Sequence, residues 1–177
     1  MQSNKWGSHC WEFCHTLSFN YPINPLNSDK ISYKMFYENL KNVLPCNVCR
    51  CSYTFFYDNI PIDDYLDDRH GVVYWVYIMH NIVNLKLNNK WMSLKDVILK
   101  YENNRARCGN IDTKDSQSLL DCQKTIKWND DMEIFYNHTI NKYEQITIKR
   151  IAKLIKNNLE HKDILKIIDN IEDKFEL

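Results

Sequence analysis

Between residues 65 and 87, apolar side chains recur along one helical face. Val72, Val76, Met79, Val83 and Leu87 follow one another at steps of four, three, four and four. A run of that length and period predicts a helix whose stripe must be covered by other elements. The rest of the chain offers helices for that purpose. Only three glycines and four prolines occur in 177 residues, too few for the tight turns of an all-β fold. Residues 6–20 read as a first helix, broken by the stretch around Pro22 and Pro25. In 29–43, Ile31, Met35, Phe36, Leu40 and Val43 recur at helical spacing, with Ser28 or Asp29 as N-cap. Pro45 opens a third helix over 46–57, closed by Pro61. Ser93 and Asp96 stand as a capping box for a short fifth helix ending near Tyr101.

Beside the stripe of the fourth helix stand His80, Asn81 and Asn84. Burying each without a partner costs about 1–3 kcal/mol, so something polar should meet them. Past residue 104 the character changes. Residues 105–130 are polar, and helical periodicity returns in 131–143, 147–159 and 162–175. Ile148, Ile151, Ala152, Ile155 and Leu159 form one stripe there; Ile164, Ile167, Ile168 and Ile171 form another. The expected organisation is a unit over 1–104 followed by a helical extension over 105–177.

Lysine plus arginine (23) balances aspartate plus glutamate (23), so the basic surplus of a nucleic-acid binder is missing. No window reaches the roughly 18 apolar residues of a membrane span, and the start lacks the apolar core of a secretion signal. These features predict a soluble, cytoplasmic protein. Seven cysteines (10, 14, 46, 49, 51, 108, 122) are odd in number and irregular in spacing, which favours redox or metal chemistry over stapling.

Four strings concentrate the chemistry: Trp6-Gly7-x3-Trp11-x3-His15; Tyr21-Pro22; Cys46-x2-Cys49; and Trp75-x4-His80-Asn81-x2-Asn84, with Leu87 and Lys90 beyond. Singly, each has a plain reading. CxxC serves zinc and disulfide chemistry equally well. A histidine on a helix face is more often a satisfied core residue than a ligand, and paired tryptophans more often pack. In this order and combination, however, the strings resemble the Erv/ALR family of FAD-linked sulfhydryl oxidases, and the segment from Leu87 to Tyr101 is most similar to the short forms of large DNA viruses. The likeness spans about residues 5–102.

The resemblance implies an all-α, four-helix bundle with a short fifth helix, holding FAD between side chains. Cys46 is then the interchange thiol and Cys49 the thiol facing the flavin. Trp6, Gly7, Trp11, His15, Tyr21, Trp75, His80, Asn81, Asn84, Leu87, Lys90 and Tyr101 are the implied cofactor residues, and no metal is implied. The reaction is oxidation of substrate dithiols to disulfides, with electrons passing through flavin to O2 and giving hydrogen peroxide. Implied partners are thiol-bearing proteins or a thioredoxin-like relay, and a second copy of the chain. A viral member would act in host cytoplasm or the virion.

The residues fit that picture. Trp11 and His15, one turn apart, share a face, as do His80 and Asn84. Lys90 can reach a pyrophosphate by charge. No glycine-rich phosphate loop exists, which excludes a Rossmann-type site. A thiol at a helix start is biased toward thiolate.

The chain also departs from the family. It lacks the extra Cys-x16-Cys of cellular members. Cys51 is additional: the plainer reading makes it a small buried apolar residue, the other a thiol that resolves mixed disulfides. Cys10 and Cys14 are expected to pack. Cys108 and Cys122 are expected to be structural, or else to act as a shuttle. Two alternatives to the enzyme remain at this level: a zinc-stabilised module built on Cys46, Cys49, Cys51 and a histidine, and a flavin-bearing scaffold in virus assembly.

Overall fold

The computed structural model describes residues 3–108 and 128–157, with side chains over 4–102 and 128–156. The expectations for Cys108, Cys122, Leu159 and the 162–175 stripe lie outside these side chains. Among the described residues every element is helical. The helices are α1 (Gly7–Asn20), α2 (Asn27–Val43), α3 (Asn47–Asn59), α4 (Arg69–Lys86), α5 (Leu94–Cys108), α6 (Asp130–Thr139) and α7 (Gln145–Asn157). The all-α expectation holds.

α4 is the central helix. Every residue from Gly71 to Met79 is buried, so it is covered on all sides rather than along the single stripe read from its spacing. Asp68 caps its start by accepting the Gly71 N–H at 3.0 Å. Its end is a Schellman turn: Asn89 N–H donates to the Asn84 carbonyl at 2.8 Å and Asn88 N–H to that of Leu85 at 3.0 Å. Asn88 takes the required left-handed conformation at φ 57°, which asparagine tolerates better than most residues.

α2 is turned differently from its apolar spacing. Ile31, Met35 and Val43 are 58%, 56% and 66% exposed. The face that enters the core carries Tyr37 and, just past the helix, Leu44. The Tyr37 hydroxyl donates to the Cys14 carbonyl at 2.8 Å, and Tyr53 donates to the Tyr37 carbonyl at 2.8 Å. These bonds tie α1, α2 and α3 together while satisfying buried hydroxyls. The N-cap is also Leu26 rather than Ser28 or Asp29; Asp29 sits three residues in and accepts the Leu26 N–H at 2.8 Å. α5 starts as expected, with the Ser93 hydroxyl accepting the Asp96 N–H at 3.1 Å, but it runs past Tyr101 to Cys108.

The described residues from 128 onward dock on the core. A π-helical turn, Ile140–Glu144, joins α6 to α7. Phe135 stacks on Phe19 with centroids 6.0 Å apart. The Tyr143 ring lies against Gly71, where even a Cβ would collide with that ring and with the Tyr65 carbonyl. Buried Thr147 shares a 2.8 Å hydrogen bond with the Tyr65 hydroxyl. Arg150 pairs with Asp64 at 2.6 Å, and Lys142 with Asp68 at 2.8 Å. Burial acts to raise the Asp68 pKa, but His70, Lys142 and the Gly71 N–H outweigh it and hold the carboxyl well below its usual range. In α7 the inward residues are Thr147, Ile151 and Leu154; Ala152 of the expected stripe is exposed.

Candidate functional site

The first four helices enclose a cavity of about 740 Å³, within the range of small-molecule sites. Cys46 and Cys49 stand on its wall, joined as a disulfide. Cys46 is the N-cap of α3, and its Sγ accepts the Cys49 N–H at 3.2 Å. That contact and the adjacent helix start favour negative charge on Cys46 when the bond opens.

The wall also carries an aromatic pair. Trp11 of α1 and His80 of α4 stack with centroids 4.4 Å apart and planes within 7°. Behind them, His15 Nε2 lies 3.0 Å from His80 Nδ1, and His15 stacks on Tyr101 at 4.8 Å. Burial lowers the pKa of His15 to about 3, helped by the charges of His80 and Lys100. Burial and then Lys100 lower that of His80 to about 4. Both rings are therefore neutral near pH 7, one donating to the other. Two neighbouring atoms have no hydrogen-bond partner although buried: Trp6 Nε1 and His15 Nδ1.

These histidines set an acid limit on the fold. Each is neutral when folded and takes a proton near pH 6.5 when unfolded, so their contribution is complete above that pH and drains as pH falls toward the folded values. Urea denaturation is expected to show stability dropping by up to about 1.4 kcal/mol per pH unit per histidine below pH 6.5. His80→Asn should flatten that slope. An unchanged slope would remove the pair as its cause.

Of the residues expected at a cofactor site, Trp6, Gly7, Trp11, Trp75, His80, Asn84 and Leu87 line this cavity together with Cys46 and Cys49. The others stand elsewhere. His15 backs His80. Buried Tyr21 donates to the Leu66 carbonyl at 2.8 Å, and its own carbonyl accepts from Arg69 at 2.6 Å. Asn81 brackets Met92, accepting its N–H at 2.8 Å and donating to its carbonyl at 3.2 Å. Of the polar row on α4, it is the one met by protein backbone. Tyr101 donates to Glu12 at 2.9 Å. Lys90 is exposed, and the lysine on the wall is Lys86, hydrogen-bonded to Ser52.

The wall also holds Cys10, Cys14, Tyr37 and Tyr53, which were not anticipated there. For the thiols a signal existed: Trp6, Cys10 and Cys14 succeed one another at steps of four, one face of α1. Cys14 is buried, as packing requires, whereas Cys10 is half-buried. A hydrogen bond from Cys14 lowers the Cys10 thiol pKa against the opposing effect of burial. Cys51 is exposed, which corrects the reading of it as a buried apolar residue. On α3 it sits two residues, about 200° of turn, from Cys49, so it cannot share the cavity wall. With Cys46 bonded to Cys49 and Cys51 turned away, the donor set of the zinc-module alternative is not assembled.

The sequence model of the Erv1 / Alr family matches residues 8–104, more than half of the chain. The chain belongs to the Erv1 / Alr family. Among relatives, the probable FAD-linked sulfhydryl oxidase R368 of Acanthamoeba polyphaga mimivirus is 34% identical over 103 residues, covering 58% of this chain and 72% of that protein. The FAD-linked sulfhydryl oxidase of African swine fever virus is 27% identical over 97 residues, covering 55% of this chain and 80% of that protein. The crystal structure of the yeast Erv1 core superposes with a TM-score of 0.54 at 20% identity, covering 58% of this chain and 85% of that one. That likeness supports the fold. The α6–α7 extension lies beyond the stretch that the family model matches.

Proposed function

We propose that this chain is an FAD-linked sulfhydryl oxidase that converts dithiols of protein substrates to disulfides through Cys46 and Cys49. The observation that carries the reading is the Cys46–Cys49 disulfide on the wall of a cavity that the Trp11/His80 stack also lines. Bound FAD supplies the acceptor for the two electrons of the reduced cysteine pair and delivers them to O2, giving hydrogen peroxide.

The residues present fit that cofactor. The cavity has largely apolar walls with a few polar atoms, and Trp6 Nε1 is a buried donor in need of an acceptor. Trp11 and His80 would hold the planar ring system, with His15 fixing the His80 tautomer. Trp6, Asn84 and Lys86 would supply polar contacts from the wall, and Lys90 charge from the turn after α4. Tyr21, Asn81 and Tyr101 act at one remove, by holding backbone and His15 in place.

The chemistry at the thiols follows from their positions. A substrate thiolate attacks Cys46 Sγ; the Cys46–Cys49 bond breaks and Cys49 leaves as thiolate. The second substrate thiol then attacks the mixed disulfide, forming the substrate disulfide and releasing Cys46, whose charge is met by the Cys49 N–H and the start of α3. Cys49, one turn into the helix, is the thiol turned toward the cofactor space.

The catalytic unit is residues 1–104, with 105–177 as an extension. Substrates are thiol-bearing proteins or a thioredoxin-like relay, and the viral relatives support action in host cytoplasm or the virion. No described helix is long and apolar enough to cross a membrane. Purified protein should be yellow and consume O2 with dithiothreitol. A colourless protein that takes up no FAD would sink this reading.

The active form is a homodimer built on the outward face of α1 and α2. Phe13, Ile31 and Met35 are 55%, 58% and 56% exposed, and Phe13 meets Phe36 at 5.9 Å to join the two helices into one apolar surface. Met35→Asp should convert the dimer to monomer in sedimentation velocity while FAD stays bound, because the substitution buries an unpaired charge at the interface only. A wild-type protein that sediments as a monomer would exclude this assembly.

A further inference from the structure

We propose that Asp68, His70 and His138 form a binding site for a zinc-type divalent cation, which clasps the C-terminal extension to the core. Asp68 caps α4 and His70 lies in its first turn, while His138 comes from α6. One donor atom from each lies within 4.8 Å of the others.

The two carboxylate oxygens of Asp68 each face one imidazole. Asp68 Oδ1 stands 3.3 Å from His70 Nδ1, and Asp68 Oδ2 stands 3.4 Å from His138 Nε2. Ligands held about 2.0–2.1 Å from a tetrahedral zinc ion are themselves about 3.3–3.4 Å apart. Charge-assisted hydrogen bonds between imidazole and carboxylate close to about 2.7–2.9 Å, so the His138 bond at 3.4 Å and the His70 contact at 3.3 Å are long ones. His70 Nδ1 is moreover buried, and although it faces Asp68 Oδ1 at 3.3 Å it makes no well-aligned hydrogen bond. A cation between these atoms would satisfy it.

The surroundings suit a preorganised ligand set. The His70 ring is held between Phe135 and His138, with centroids 4.2 and 4.3 Å away. Asp68 is oriented by the Gly71 N–H at 3.0 Å and by Lys142 at 2.8 Å, the kind of outer contact that fixes metal carboxylates. Lys142 also reaches Asp67 at 3.6 Å, so it can move toward that exposed carboxylate when a cation takes its place. The His138 side chain is 46% exposed, which leaves an entry path and room for water as fourth ligand. Two imidazoles and one carboxylate select zinc and its neighbours over magnesium or calcium, which prefer oxygen alone.

The site stands away from the redox cavity, whose walls include none of the three residues. It also needs the extension, since His138 lies past the family match at 8–104. Its task is therefore structural: one ion bridges α4 and α6.

The test uses full-length, untagged protein stripped with chelator and titrated with Zn2+ by calorimetry, with bound zinc examined by X-ray absorption. The expected result is one saturable equivalent with nitrogen and oxygen neighbours. His138→Ala should weaken it by about tenfold or more, while the metal-free variant melts as the metal-free parent does. Zinc should also slow proteolysis of the extension in the parent and not in the variant. His70→Asn gives a second loss of binding; if that variant misfolds, the half-exposed His138 position carries the test alone. Sulfur neighbours around the zinc, no saturable binding, or equal binding by His138→Ala would overturn the proposal.

Discussion

Cys49→Ser is expected to cut dithiol-driven oxygen consumption by about a thousandfold or more, because removing the leaving thiol abolishes the reaction rather than slowing it. Without the Cys46–Cys49 bond, an incoming thiolate finds no disulfide to attack. The remaining Cys46 thiolate, at the start of α3, should instead accept a disulfide reagent and hold it as a mixed disulfide visible by mass spectrometry. FAD should stay bound, since Cys49 is one of many groups on the cavity wall. Cys51→Ser separates the exposed thiol from the pair: its activity should stay within about twofold of the parent, as its side chain points away from Cys49. A Cys49→Ser protein that keeps a tenth of the parent rate would remove Cys46 and Cys49 from the redox role.

Trp75→Ala carries the largest expected loss of stability. The side chain is 1% exposed, meets Tyr37 at 5.1 Å and Tyr57 at 5.7 Å, and donates its indole N–H to the Ile60 carbonyl at 2.8 Å. Truncation leaves a void among helices α2, α3 and α4 and orphans a buried carbonyl. Large-to-small changes of this kind cost about 3–5 kcal/mol, read as a lower urea midpoint. Trp75→Phe keeps most of the volume and loses the hydrogen bond, for about 1–2 kcal/mol. FAD affinity of the phenylalanine variant then reports what the indole gives the cofactor apart from holding the bundle together. Equal stability of the two variants would show that packing around Trp75 is not what the ring distances indicate.

Much of the bundle was legible because its signals are local. The Ser93/Asp96 cap and the breaks at Pro22, Pro25 and Pro61 depend on neighbours in sequence, and they lie where spacing placed them. On α2 the spacing showed the helix but not its buried face: Phe36 and Leu40 pack on the core while Ile31, Met35 and Val43 stay exposed, two faces with one apolar period. Only Tyr37, whose hydroxyl finds the Cys14 carbonyl, distinguishes them, and that bond crosses 23 residues. At the cavity, His80 stood out as a polar group on a buried helix. Asn81 gave the same signal, yet its partner is the Met92 backbone; spacing cannot tell a ligand from a loop. Lys86 and Lys90 are both exposed, and Lys86, at the end of α4, is the one of the two on the cavity wall. Cys51 is a similar case: a thiol next to a CxxC reads as part of it until the helix phase shows otherwise.

The π-helical turn at Ile140–Glu144 acts as a phase corrector. A π turn holds one more residue than an α turn over the same arc, and each residue of helix is about 100° of rotation. Before it, Phe135 and Thr139 face the core; after it, Thr147, Ile151 and Leu154 do. Wound as plain α-helix, the same residues would swing everything beyond the turn by about that angle. Thr147 would leave Tyr65, and Ile151 and Leu154 would meet water. The extension is thus a two-segment key whose second segment fits because the wide turn absorbs the extra residue; a one-residue deletion there should leave α7 docked, while a one-residue insertion should undock it more thoroughly than any single side-chain replacement within it.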